Sequence, residues 1–206
     1  MPEAGGEVLA TRVAFLETKD ERRLVQEGYE LLDEKRVLLA TEIMRQLRAY
    51  ARLQESLQTL GAEALAALEA AVRLHGFDDL TVESRLDLGP ALLVSHAQTF
   101  LGLRLIEAAL EEPPGEAGAT GRPSTPEGRN CALAFRRLVA ANTELAACIA
   151  NLRRLVREYV RTERRARALE NVVLPEIDET LRFIEEQLDA VDQEEAVRVR
   201  NAAGRN

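Results

Sequence analysis

The sequence has no tryptophan, five phenylalanines and three tyrosines, so any core must be built mainly from aliphatic side chains. Such side chains line the seams between packed helices. Only two cysteines occur, Cys131 and Cys148, and without a secretory signal pattern they are expected to be reduced thiols. No apolar run approaches the roughly 18 residues that a membrane-spanning helix needs, so a soluble chain is predicted.

The sequence also lacks the patterns that carry most enzyme chemistry. It contains no Gly-x-x-x-x-Gly-Lys-Ser/Thr segment to hold nucleotide phosphates. His75 and His96 have no cysteine at metal-ligand spacing and are interpreted as solvent or loop residues. We therefore predict no catalytic residue, no metal and no cofactor. The net charge of −8 argues against a general nucleic-acid binder.

Two helix-forming stretches, one at each end of the chain, carry apolar residues at alternating spacings of four and three. This spacing keeps one narrow seam on one helix face, as in a coiled coil, and the chain between the stretches is long enough to fold back. The predicted fold class is all-α, with a long antiparallel two-helix coiled coil formed by the N- and C-terminal regions. The predicted shaft seam consists of Leu39, Ile43, Tyr50, Leu53, Leu57, Leu60, Leu145, Ile149, Leu152, Val156, Tyr159, Val173, Ile177 and Ile184.

The pattern changes between the two helices. Residues 80–88 alternate with a period of two, which predicts a strand that pairs with a second candidate strand at residues 100–106. Residues 111–130 hold four prolines and four glycines and are predicted to form an exposed loop. We thus expect an N-terminal shaft helix (1–75), a small middle region with a short β-hairpin (76–130) and a C-terminal shaft helix (131–206).

The second helix has an irregular segment around Pro175. The apolar residues from Leu169 to Leu181 follow three successive steps of four, which locally unwind a left-handed supercoil. Proline removes one backbone donor and crowds the carbonyl of Asn171. The sequence is therefore compatible with one continuous helix kinked near Pro175 and with two helices that meet there.

Several segments resemble the D subunit of the rotary V-type and A-type ATPases. Residues 10–12 (ATR) are similar to the Pro-Thr-Arg start of that family, and residues 28–36 (GYELLDEKR) to its Gly-aromatic-x-Leu-Leu-x-x-Lys-Arg segment. The strongest likeness lies at residues 162–175 (TERRARALENVVLP) and continues at residues 179–184 (ETLRFI). The chain differs at Ala166-Arg167, where the family has Val-Asn, and its C-terminal tail is less basic.

The resemblance implies a non-catalytic rotor subunit of the central stalk in an ATPase or ATP synthase that translocates protons or sodium ions. Such a subunit transmits torque between the catalytic hexamer and the membrane rotor ring. The implied partners are the catalytic and regulatory subunits of the hexamer, a small central-stalk subunit and a membrane-side rotor socket subunit. The implied location is cytoplasmic and peripheral to the membrane, without nucleic-acid binding or membrane insertion.

Charge occurs in blocks along the second helix. Residues 152–168 contain seven arginines against two glutamates, and residues 176–195 contain nine carboxylates. These blocks are either solvated surface or, given the resemblance, an arginine collar that meets acidic loops of the hexamer. Basic residues of the first helix would join this collar if Leu32 lies near Val173. The candidates for a partner interface are Arg12, Arg22, Arg23, Lys35, Arg36, Arg161, Arg164, Arg165, Arg167 and Glu170.

The alternative function is that of a coiled-coil scaffold or adaptor unrelated to ATPase coupling. A scaffold would share the heptad pattern, but it would have no need for Pro175 or for an ordered hairpin in the middle region. Genes for ATPase catalytic subunits next to the gene of this chain would favour the rotor over the scaffold.

Overall fold

The computed structural model describes residues 10–83, 92–111 and 125–203. Long helices dominate these residues, and a two-stranded antiparallel sheet lies between them in the chain. The predicted all-α fold class with a small hairpin is therefore confirmed. The elements, in chain order, are α1 (Arg12–Glu83), β1 (Leu92–Phe100), β2 (Leu103–Glu111), α2 (Pro126–Ala168), a π-helical turn (Leu169–Val173) and α3 (Leu174–Ala203).

The chain folds into two compact units. The first contains the described residues up to Leu38 and from Tyr159 onward, and the second contains Leu39–Glu158. In the first unit the two helical segments are antiparallel, because Arg12 bonds Asp192 whereas Arg36 bonds Glu163. The second unit contains the rest of α1, the hairpin and the larger part of α2.

Helix α1 is longer than predicted and contains one non-helical residue. It reaches Glu83, so the strand predicted at residues 80–88 is wrong over residues 80–83, and residues 84–88 lie outside the described part of the chain. The part of the alternation that lies within the described residues is four residues long, which is too short to exclude a helix. Gly76 has φ 73° and ψ 168°, a conformation that is strained for any residue with a Cβ atom. The glycine therefore lets the backbone change direction before the last residues of α1.

The hairpin exists, but its strands are not those predicted. β1 and β2 pair with Phe100 opposite Leu103, so the predicted strand at residues 100–106 instead contains the turn. Leu101 has φ 48° and Gly102 has φ 83°. Positive φ at both central residues is typical of the type I′ turn, whose twist matches that of the flanking strands. The predicted break at Gly89-Pro90 lies outside the described residues.

The apolar heptad positions of α1 are buried or half-buried, as the heptad pattern predicts. Leu39 is fully buried, and the pattern extends beyond the predicted seam to Ala64 and Ala71, which are also fully buried. This continuation indicates that small side chains allow close packing at the end of the seam. The remaining predicted seam residues of α1 are half-buried, namely Ile43, Tyr50, Leu53, Leu57 and Leu60.

The buried row of α2 differs from the predicted seam by one residue. Leu155 is fully buried, whereas the predicted Val156 is 46% exposed. Leu145, Ile149, Leu152 and Tyr159 are half-buried and flank this row. The displacement arises because polar and small side chains, which a search for apolar heptads discounts, occupy the centre of the helix face. The buried row consists of Cys148, Asn151, Leu155, Thr162 and Ala166.

A π-helical turn occupies the position of the predicted irregularity. The N–H of Leu174 donates to the carbonyl of Leu169, five residues back instead of four. Pro175, the next residue, has no N–H and crowds the carbonyl four residues before it, so a wider turn relieves the helix at this point. In α3, Ile177 and Ile184 are buried, and Val173 in the π turn is half-buried.

Helix α2 begins at Pro126, five residues before the predicted boundary at Cys131. The hydroxyl of Thr125 accepts a hydrogen bond from the N–H of Gly128, 3.3 Å away. Thr125 thus caps the helix, and Pro126 fits the first helical position, where a missing N–H costs nothing. The Thr-Pro pair within the predicted loop was therefore a sequence signal for the start of helix α2. Residues 112–124 of the predicted loop lie outside the described part of the chain.

Candidate functional site

Among the described residues, ion pairs of Arg12, Arg22 and Arg36 link the two antiparallel segments of the first unit, and we refer to these three as the cross-helix ion pairs. Arg12 lies 3.2 Å from both carboxylate oxygens of Asp192. Nε of Arg22 lies 2.6 Å from Asp178, whose hydrogen bond raises the pKa of the arginine. The third pair joins Arg36 to Glu163. Four of the predicted interface arginines are thus held within the chain, since Arg167 also binds Glu163.

Glu163 binds two arginines, one from each antiparallel segment of the first unit. Its Oε2 accepts from Nη1 of Arg36 at 2.8 Å, and its Oε1 accepts from Nε of Arg167 at 2.8 Å. The hydrogen bond from Arg36 is the largest cause that lowers the pKa of Glu163, and the same bond raises the pKa of Arg36. A charged residue inside the helix contact is therefore kept ionised by its two arginines.

The cross-helix ion pairs also define the register of the two segments. Arg22 lies opposite Asp178 and Arg36 opposite Glu163, so residue numbers of paired positions sum to about the same value. Leu32 then lies opposite residues near 167. Val173 is six residues further along, or roughly 9 Å at 1.5 Å per residue. Arg36 nevertheless lies beside the arginine block through its bond to Glu163, whereas Arg22 lies opposite the acidic block at Asp178.

Three predicted interface arginines face solvent together. Arg161, Arg164 and Arg165 are exposed and make no ion pair with the residues that the structure describes. Arg161 and Arg165 are four residues apart on one helix face, where like charges repel. We call these three residues the arginine surface. Its role as part of a collar that meets a partner stays a prediction.

The other interface candidates have local environments. Arg23 is exposed and lies 3.8 Å from Asp20 and 3.8 Å from Glu27, both on its own helix. Lys35 is half-buried, and Glu170 is exposed in the π turn. These positions offer charge to a partner.

Asn151 joins helix α2 to the hairpin in the second unit. Its Oδ1 accepts from the N–H of Ile106 at 2.8 Å, and its Nδ2 donates to the carbonyl of Ile106 at 2.8 Å. One turn later on the helix, Arg154 donates to the carbonyl of Arg104 at 2.8 Å. No sequence pattern indicated Asn151, because a single asparagine in a heptad pattern carries no signal of what its amide will bind.

The sequence analysis also did not predict a cluster of polar side chains on α1. Glu42 is only 8% exposed, and both of its oxygens accept from Arg45 at 2.7 Å, while Gln46 donates to Oε1 at 2.9 Å. The hydrogen bond from Arg45 is the largest cause that lowers the pKa of Glu42. The spacing Glu-x-x-Arg-Gln was the available sequence signal, since residues three and four apart on a helix are neighbours.

A half-open groove of about 390 Å³ lies between α1, α2 and the hairpin. Its charged and titratable lining includes Arg45, His96, Glu107 and Glu144, and its floor includes Cys148. Burial raises the pKa of the Cys148 thiol, so this group is protonated and weakly nucleophilic at neutral pH. Burial also raises the pKa of the Cys131 thiol.

The described residues contain neither a metal-binding cluster nor a membrane-spanning helix. Within residues 10–83, 92–111 and 125–203, no group of three or more histidine, cysteine or acidic side chains is arranged to hold a metal ion. Over the same part of the chain, none of the helices has the length and apolar content required to cross a bilayer.

Comparison with known proteins identifies the family. A family model for the ATP synthase D subunit matches residues 14–203. The chain is 34% identical to the V-type ATP synthase D subunit of Anaeromyxobacter dehalogenans, over 95% of each chain. It is 28% identical to the V-type ATP synthase D subunit of Thermus thermophilus, over 97% of this chain and 89% of that protein. It is 29% identical to the A-type ATP synthase D subunit of Methanopyrus kandleri, over 94% of this chain and 84% of that protein. With nearly its whole length matched, the chain belongs to the ATP synthase D subunit family.

Proposed function

We propose that this chain is a non-catalytic rotor subunit of the central stalk of a V/A-type ATPase or ATP synthase. In this role it turns inside the catalytic hexamer and transmits torque to or from a membrane ring that translocates protons or sodium ions. Its proposed location is cytoplasmic and peripheral to the membrane. Its proposed partners are the hexamer subunits, a small central-stalk subunit and a rotor socket subunit.

The observation that carries this proposal is the arginine surface. A chain with an excess of carboxylates has many ways to neutralise surface arginines, and it does so for Arg73, Arg167 and Arg198 with a glutamate four residues away. Arg161 and Arg165 instead occupy neighbouring positions on one helix face without an ion pair to a described residue. A helix that bears this repulsion is suited to bind acidic loops of a surrounding hexamer.

The cross-helix ion pairs support the mechanical part of the proposal. A shaft must resist twisting and sliding of one helix against the other. Pairs at Arg12, Arg22 and Arg36 tie α1 to the opposite segment at separate heights, in addition to the buried apolar contacts of Ile177 and Ile184. A paired helix of this kind carries load that a single helix in water would not withstand.

The test compares two triple variants in a reconstituted complex. Arg161→Gln, Arg164→Gln and Arg165→Gln together remove the arginine surface while nearly preserving helix propensity, since glutamine and arginine are similar helix formers. The control replaces three exposed arginines of the second unit by glutamine, namely Arg48, Arg52 and Arg137. ATP hydrolysis, recovery of the complex and rotation of a probe attached to this chain are measured over a salt series.

We expect the first variant to assemble more weakly than the wild type at low salt, and this difference to shrink as salt rises. Charges separated by more than about 8 to 10 Å are screened at physiological ionic strength. The control variant should behave as the wild type does. Equal assembly of all three proteins at every salt concentration would refute the role of the arginine surface. A probe that stays still while the hexamer hydrolyses ATP would refute the rotor function itself.

A further inference from the structure

The two edges of the hairpin differ in whether other described residues bond their backbone groups. The edge of β2 is bound by its own chain, since Asn151 bonds both backbone groups of Ile106 and Arg154 bonds the carbonyl of Arg104. The side-chain amide of Asn151 thus takes the place that a neighbouring strand would occupy. The hairpin therefore has one covered edge and, on the other side, strand β1.

The register shows which backbone groups of β1 point away from β2. Ile106 lies opposite Ala97, and residues directly opposite in an antiparallel pair direct their N–H and C=O groups either both inward or both outward. Those of Ile106 point outward, to Asn151. Those of Ala97 therefore point outward as well, and so do those of Ser95 and Thr99, two residues away on each side. No residue in the described part of the chain bonds these outward groups of β1.

Strand β1 also lacks the features that protect a free edge. Native edge strands usually carry charges, a proline or a bulge that prevents another strand from pairing with them. The nine residues of β1 (LLVSHAQTF) include no lysine, arginine, acid or proline, and the nine register pairs continue without a bulge. Ser95, Ala97 and Thr99 are exposed, and Leu93 is 61% exposed. An edge without charged side chains, proline or a bulge is a template for an added strand.

The groove beside β1 indicates the chemistry of that strand. His96 and Gln98 of β1 line the groove together with Glu107 and Glu144. Arg45 forms a bidentate pair with Glu42 and also attracts Glu107, whereas Glu144 forms no ion pair with a described residue. The charged side chains that line the groove are therefore two glutamates and one arginine, which leaves an excess of negative charge.

We propose that the free edge of β1 binds an extended strand of a neighbouring protein, with basic side chains of that strand directed into the groove. Backbone hydrogen bonds to Ser95, Ala97 and Thr99 supply the pairing, and Glu107 and Glu144 select lysine or arginine at alternate positions. Alternation of side chains along a strand places every second residue of the added strand on the groove side. This surface is separate from the arginine surface and does not depend on the rotor function.

The experiment uses the full chain and a synthetic peptide, acetylated and amidated at its ends, of sequence TVKVTVKVT. Both of its lysines lie on one face of an extended strand. The matched control peptide, TVEVTVEVT, differs only in charge. Amide hydrogen exchange of Ser95, Ala97 and Thr99 is followed by NMR at low salt. We expect the lysine peptide at saturation to slow exchange of these amides at least tenfold, and to bind at least tenfold more tightly than the glutamate peptide.

Two variants separate the two parts of the proposal. Ala97→Pro removes one outward donor at a position where the edge tolerates proline, and it should abolish binding while the inward amides of β1 keep their protection. N-methylation of the central threonine of the peptide removes a backbone donor from the other side and tests the same bonds on the unchanged protein. Glu107→Gln with Glu144→Gln should remove the preference for lysine but not the pairing.

Two results would overturn the proposal. One is fast exchange of the three outward amides at saturating concentrations of both peptides. The other is slow exchange of these amides in the chain alone, which would mean that the edge is already covered by a segment of the same chain. Equally tight binding of the lysine and glutamate peptides would overturn the assignment of a basic partner.

Discussion

The bidentate contact between Asn151 and Ile106 allows a quantitative prediction. A two-stranded hairpin is marginal in water, so β1 and β2 depend on what they pack against. Asn151 is 4% exposed and makes two hydrogen bonds of 2.8 Å to the backbone of β2. Asn151→Ala removes both bonds. At a net value near 1 kcal/mol for each, the contact of the hairpin with α2 should weaken by about 2 kcal/mol.

Amide hydrogen exchange measures this change at the site itself. A loss of about 2 kcal/mol corresponds to roughly 30-fold faster exchange of the Ile106 amide, since about 1.4 kcal/mol is a factor of ten. The amides of the β1–β2 ladder should also exchange faster, because the hairpin detaches more often. Water that enters through the adjacent groove limits the effect, since it can satisfy the exposed groups of Ile106.

Two further variants make the prediction specific. Asn151→Asp keeps an acceptor for the N–H of Ile106 but turns a donor into a carboxylate that faces the Ile106 carbonyl, so it should be at least as harmful. Asn142→Ala, at an exposed position of the same helix, should change nothing. If the Ile106 amide of Asn151→Ala exchanges within a factor of three of the wild-type rate, the contact does not hold the hairpin and the reasoning fails.

Two other predictions concern stability. Leu155→Ala should cost about 3 kcal/mol in urea unfolding and Val156→Ala less than about 1 kcal/mol, because only Leu155 is fully buried; equal costs would contradict the buried row of α2. The pKa of Glu163 is lowered in the folded chain, so its contribution is complete above the ordinary carboxyl value of 4.5 and is lost as pH falls through the lowered pKa. Glu163→Gln should therefore be less stable than the wild type at pH 7, with a difference that shrinks in acid; a gap independent of pH would contradict this assignment.

Much of the fold could be predicted, because long heptad patterns leave few alternatives. The positions around Leu39 and Leu57 follow from spacing alone, since an isolated helix cannot bury such a seam. The position of the hairpin was harder to predict. Strand β1 is largely exposed on both faces, so its sequence shows no alternation of apolar and polar residues that could have located it. The alternation that begins at Leu80 predicted a strand where the described residues 80–83 are helical.

The displaced row of α2 has a different cause. A search for apolar residues at heptad spacing selects Ile149 and Val156, but the centre of the helix face is occupied by Asn151 and Thr162. Asn151 is tolerated there because its amide is paired with the hairpin backbone. The backbone of Ile106 is distant from Asn151 in sequence, so no local pattern indicates this contact. Contacts between a polar side chain and a backbone segment distant in sequence therefore could not be predicted from the sequence.

The arginine surface makes a last prediction that separates a rotor from a scaffold. Arg161→Glu replaces repulsion with Arg165 by an ion pair in the favourable order, with the acid four residues before the base. At about 0.2 to 0.5 kcal/mol for the repulsion removed and again for the ion pair gained, the isolated chain should become more stable by about 0.4 to 1 kcal/mol. A free-standing scaffold would only gain from this change.

A rotor that meets acidic loops of a hexamer would lose function through the same substitution. Reconstitution of the Arg161→Glu chain with the hexamer should be weaker than that of the wild type at low salt, although the variant itself unfolds at higher urea concentration. The exposed Arg48→Glu provides the control, because it makes the same charge change in the second unit. Higher stability together with undiminished assembly would show that Arg161 repels Arg165 for no functional reason. The hypothesis that the arginine surface is a binding site would then be refuted, although the family of the chain would be unaffected.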